Sequence, residues 1–143
     1  MVIATQSCSL SRLIPRSFEE TLNVLRSALE RERLQIICEV PFHREFQKSM
    51  GVTCRRYTVF VVWSQFETWR AVLTEVDAGL LMPFNIAVME DGDGSLIAVN
   101  NWIGRRQVRT TIGVSLMIHD AEKRMRRVFA ACDPELTAAT VEP

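Results

Sequence analysis

The run Tyr57-Thr-Val-Phe-Val-Val-Trp63 is almost wholly β-branched or aromatic. Such residues are stiff at χ1 and pack well on a pleated surface, so the run predicts an inner strand covered on both faces. The rest of the chain has to supply that cover.

Amphipathic helices are written on both sides of this strand. Ser17-Phe-Glu-Glu20 has the form of a capping box, and Phe18, Leu22, Leu25 and Leu29 follow at helical spacing. Ser64-Gln-Phe-Glu67 has the same form, and Phe66, Trp69, Val72, Leu73 and Val76 fall on one helical face, expected to meet the core. Between about Ser115 and Ala131, Ile118, Ala121, Met125, Val128 and Phe129 repeat with the same period, and Pro134 limits continuation. Phe42, Phe46 and Met50, four apart before Gly51, predict a short helix; Gly51 and Gly79 are both expected at helix ends.

Other segments carry the period of strands. Thr5 to Ile14 alternates weakly before Pro15, and Leu34, Ile36, Cys38 and Val40 alternate with polar or outward positions before Pro41. Asn85 to Glu90 and Ser95 to Asn100 flank Asp91-Gly-Asp-Gly94, the signature of an antiparallel hairpin. Arg105 to Thr110 has no clear period, and 135–143 reads as a frayed tail. The order is β-α-β-(short α)-β-α-β-β-α. It predicts an α+β class, with an antiparallel-dominated sheet and helices packed on one face.

At 143 residues the chain is read as a single domain, 1–143, able to bury a sizeable core. Its 17 basic and 17 acidic residues cancel, so no molecule-wide field draws it to nucleic acid, and no apolar run approaches a membrane span. Cys8, Cys38, Cys54 and Cys132 are scattered, without metal-ligand spacing, and are read as free core thiols. With no export signal, the expected location is cytoplasmic. His43 and His119 lack a nucleophile partner and are read as helix-surface residues; the basic residues from Arg105 to Arg127 are read as a solvated helix face.

The order of elements, together with Met50-Gly51, Tyr57, Arg70-Ala71, Gly79-Leu-Leu, Pro83-x-Asn85 and the Glu-Asp-Gly-Asp-Gly turn, resembles the family catalogued as domain of unknown function 302, over roughly residues 17–101. That resemblance implies a sheet and helices of the TATA-binding-protein-like kind, often as a homodimer, with no established activity. Relatives are similar in carrying a cysteine, a histidine and a second cysteine where this chain has Trp63, Trp69 and Phe84. Indole and phenyl rings neither ligate metals nor shuttle protons, so the metal or thiol-redox chemistry that cysteine and histidine would suggest is not carried by these three positions.

The candidate site is therefore a helix-sheet crevice in which Trp63, Trp69 and Phe84 stack a small apolar or aromatic ligand while Tyr57 and Asn85 supply hydrogen bonds. No catalytic residue, metal or cofactor is assigned, and a non-enzymatic binding domain is the leading reading. Its competitors are an enzyme that has lost its cysteines and a structural module that forms a homodimer. The crevice reading requires Trp63 and Phe84 to face one another.

Overall fold

The computed structural model describes residues 8–80, 83–100 and 112–135. Five strands, β1 (Cys8–Ile14), β2 (Gln35–Pro41), β3 (Tyr57–Trp63), β4 (Phe84–Asp91) and β5 (Gly94–Asn100), form one antiparallel sheet in the order β1-β5-β4-β3-β2. Helix α1 (Phe18–Arg31) connects the two edge strands, and with α4 (Ile112–Cys132) it covers one face. The short α2 (Phe42–Met50) adjoins β3, and α3 (Gln65–Thr74) packs on α4 and on a 3-10 turn, Val76–Leu80. The α+β class and the element order are as the sequence implies; the 3-10 turn is additional.

Helix α1 starts at the capping box its sequence encodes. The Ser17 hydroxyl accepts from Glu20 N–H, and the Glu20 carboxylate accepts from Ser17 N–H, both at 3.3 Å. Phe18, Leu22, Leu25 and Leu29 are all buried. The helix ends in a Schellman turn: Leu34 N–H donates to Leu29 O and Arg33 N–H to Glu30 O. Arg33 occupies the left-handed position at φ 57°, where glycine would be unstrained. At the hairpin, Gly92 at φ 57° and Asp93 form the two-residue turn between Asp91 and Gly94. A Cβ on Gly94 would stand 2.9 Å from the Ile14 carbonyl oxygen, so only glycine lets β1 approach.

One buried cluster joins sheet and helices. Phe60 and Val62 of β3, Phe84, Ile86 and Val88 of β4, and Ile97 and Val99 of β5 meet Leu25 and Leu29 of α1 and Met125, Val128 and Phe129 of α4. A satellite cluster, Ala71, Ala78, Val114 and Ile118, ties α3 and the 3-10 turn to α4.

Strand β3 is interior in the sheet order yet covered on one face only. Thr58, Phe60 and Val62 are buried, whereas Tyr57, Val59, Val61 and Trp63 are half-buried on the opposite, open face. Register places Ala87 and Met89 of β4, Leu96 and Ala98 of β5, and Ser11 and Leu13 of β1 on that face. On β2 the pairing shifts between Ile36 and Cys38, so Ile36 faces the helices while Cys38 and Val40 join the open face. A strict alternation of Leu34, Ile36, Cys38 and Val40 on one face is thereby broken.

Helix α3 departs further from the sequence pattern. Its inward residues are the small Thr68 and Ala71, while Phe66, Val72 and Leu73 are exposed and Trp69 is 59% exposed. Close approach to α4 favours small side chains at the contact, which turns the larger apolar stripe outward. The expected second capping box is also not made. Ser64 occupies the N-cap without a side-chain bond to the helix, and Glu67 turns instead to Arg124 at 2.8 Å.

Cys132 is buried and burial pushes its thiol up to about 11, but Cys38 and Cys54 are exposed, not core thiols. Two outcomes follow from this packing. Trp69→Ala should change unfolding free energy by less than about 0.5 kcal/mol, whereas Phe60→Ala should cost about 3–5 kcal/mol, measured by urea titration. A comparable loss in both would return α3's aromatic stripe to the core. Second, the native Cys132 thiol keeps its proton above its usual value of 9.0, so its contribution to stability should fade as pH rises from 9.0 towards about 11. Thermal melts of the wild type and Cys132→Ala across that window should converge; parallel curves would remove the effect.

Candidate functional site

Of the five residues expected to form one crevice, Trp63 and Trp69 line one cavity among the described residues, without Tyr57, Phe84 or Asn85. Phe84 pairs with Val62, so it lies on the helix face and is buried in the core. Trp63, one residue further along β3, lies on the open face. The facing of Trp63 and Phe84 is therefore not made, because strand parity separates them. Tyr57 is six residues from Trp63 along β3, roughly 20 Å away at the usual rise per strand residue.

The surroundings of Tyr57 and Asn85 are local and structural. The Tyr57 ring stacks on Phe42 with centroids 5.5 Å apart and planes at 7°. His43 Nδ1 stands 3.0 Å from both the amide nitrogen and the carbonyl oxygen of Tyr57, and its ring meets Phe18 edge-on at 6.0 Å. His43 is thus half-buried and engaged, while His119 is exposed. Beside them Arg56 donates twice to Glu90, at 2.8 and 2.6 Å, which holds the Glu90 carboxyl below its ordinary range. Asn85 is an exposed strand residue whose N–H donates to Asn100 Oδ1 at 2.8 Å.

The cavity that does form lies where the end of β3 meets the outer side of α3. It is an open groove of about 590 Å³ lined by Trp63, Gln65, Phe66, Thr68, Trp69 and Val72. Phe66 and Trp69, neighbours on α3, have ring centroids 6.1 Å apart with planes inclined at 39°. Arg70 also meets the Phe66 ring, its guanidinium 5.7 Å from the centroid. Thr68 is 4% exposed, and its buried hydroxyl has no hydrogen-bond partner among the described residues. A buried hydroxyl in that state costs about 1–3 kcal/mol until something pairs with it.

A second, more polar crevice of about 1030 Å³ opens beyond the first turn of α3. Gln65 and Phe66 line both cavities. Gln65, Thr68 and Val72 belong to the groove without having stood out in the sequence as ligand contacts. Their spacing on α3 was legible, but a helical pattern does not say which side faces out.

The arginines of α4 are held in ion pairs, while Lys123 is exposed. Arg124 meets Glu67 and Asp120, Arg126 meets Glu122 and Arg127 meets Glu32. That suits a solvated helix face; Arg105, Arg106 and Arg109 lie outside the described residues. Among the described residues, no three His, Cys, Asp or Glu side chains gather as a metal cluster, and no helix is long and apolar enough to cross a membrane.

No curated protein matches the chain. The crystal structure of uncharacterized conserved protein DUF302 from Bacillus stearothermophilus superposes at TM-score 0.74 with 15% identity, covering 86% of this chain and 96% of that one. Identity that low speaks for the fold alone. A protein from Thermus thermophilus aligns over 91% of this chain and 96% of its own at 11% identity, but its TM-score of 0.30 is too low to bear on the fold. The family model described as domain of unknown function DUF302 matches residues 10–132, a span extending past both ends of the 17–101 resemblance. With most of its length inside that match, the chain belongs to the DUF302 family.

Proposed function

We propose that this domain binds a small, flat, apolar or aromatic molecule in the groove between Trp63 and α3. The observation that carries this reading is the outward set of aromatics on α3. Phe66 and Trp69 leave large apolar area in water at a concave surface, and Trp63 supplies a third ring. A flat ligand would bury area on all three, and each removed Å² contributes about 25 cal/mol. Gln65 gives the same groove a polar side chain.

Trp102→Phe leaves Trp63 and Trp69 as the only indoles, so emission from that protein reports the groove. Titration with small aromatic compounds should give saturable quenching, with binding weakened at least tenfold by Trp69→Ala. Quenching that survives both Trp69→Ala and Trp63→Ala would place the ligand elsewhere, and no saturable response would remove the binding reading.

A second reading concerns a homodimer through the open sheet face. Among the described strand residues that register assigns to that face, which include Val59, Val61, Ala87, Met89, Leu96 and Ala98, the charge is that of Asp91 at the hairpin end. The charges Glu39 and Glu90 lie on the helix side, paired with Arg26 and Arg56. A face whose charge sits at its hairpin rim is compatible with its own copy across a two-fold axis. At strand spacing it measures about 24 by 20 Å, so two copies would bury roughly 1,000 Å², the lower end for a stable interface. Sedimentation should show a dimer in the micromolar range that Val61→Glu converts to a folded monomer. A monomeric wild type would end this reading without touching the groove.

A further inference from the structure

We infer that the ligand of the groove is a zwitterion, an aromatic α-amino acid or a molecule of the same chemistry, with its charged end in the adjoining polar crevice at the start of α3. This rests on the groove reading above. The two cavities share Gln65 and Phe66, so one molecule can place a ring on one side of the first turn and a polar head on the other.

The crevice carries unmet demands of both signs. Its wall includes the N-terminus of α3, a helix of ten residues whose N-cap side chain makes no bond to it, leaving first-turn amides without that partner. Ser64 itself is 7% exposed and lines the crevice, with its hydroxyl bonded to no group among the described residues. Arg33 also lines the crevice and makes no ion pair among them either. It keeps an arginine where the backbone favours glycine. Free amides, a hydroxyl and a free guanidinium together suit a carboxylate.

A simple anion does not satisfy the remaining groups. Glu67 Oε1 meets Arg124, but Glu67 Oε2 is buried without a partner among the described residues and requires a donor. Glu30 also lines the crevice. The other two cations there are already engaged, Arg26 with Glu39 at 2.7 Å and Arg124 with Glu67 and Asp120. A guanidinium and a carboxylate oxygen, each without a partner among the described residues, belong to side chains that line one crevice, and together they suit a ligand that brings both a carboxylate and an ammonium.

L-phenylalanine, 3-phenylpropionate, phenethylamine and propylbenzene share a ring and differ only at the head, and none masks indole emission. Titrated into the Trp102→Phe protein, L-phenylalanine should bind about tenfold more tightly than any of the other three. Arg33→Asn, which suits the left-handed backbone at that position, should erase its advantage over phenethylamine. Glu67→Gln should erase its advantage over phenylpropionate, with circular dichroism establishing that each variant is folded. If propylbenzene binds as tightly as L-phenylalanine, the groove stands and the zwitterion inference is overturned. If phenylpropionate alone matches L-phenylalanine, the site is one for anions and the inference is likewise overturned. If none of the four binds, the groove reading falls and this inference with it.

Discussion

Everything else in this molecule depends on α1 and α4 covering one face of the sheet and leaving the other open. Phe60, Ile86 and Ile97, on three adjacent strands, are completely buried beneath Leu25, Leu29 and Phe129. A burial of that kind supplies the dominant favourable term in folding, and it fixes strand register, since a slip of one residue would exchange the two faces. Because the sheet is antiparallel with its edges joined through α1, a single helical layer suffices.

The same one-sidedness decides where chemistry is possible. Parity along β3 sends Val62 and its partner Phe84 into the core and Trp63 away from it. Trp63, Trp69 and Phe84, the positions at which the family resemblance implies cysteine and histidine, are thus divided here. Two aromatics border a groove, and the third is core. At the other end of β3, Tyr57 is occupied by Phe42 and His43.

Helix α3 is the second decisive element. Its start is left uncapped because Glu67, the residue that would complete a capping box, is drawn to Arg124 on α4. That ion pair is partly buried, so the carboxylate gains more from a fixed guanidinium than from a terminal amide, at the expense of an unpaired second oxygen. The helix also faces α4 with Thr68 and Ala71, which exposes its larger apolar residues. Groove and crevice both arise from this one packing choice.

The elements and most of the core were legible along the chain. The capping box at Ser17, the stripe of α1, the stripe of α4 from Ile118 to Phe129, and the Gly92-Asp93 hairpin depend on residues close in sequence, and local periodicity and turn chemistry specify them. The side each stripe faces was not legible. The apolar residues of α3 have the same period as those of α1, yet contact with α4 turns them outward. Likewise the β2 bulge, the open face of β3 and the split between Trp63 and Phe84 are set by which face the helices cover. The pattern states a period, but its phase relative to the core exists only once the layers have packed.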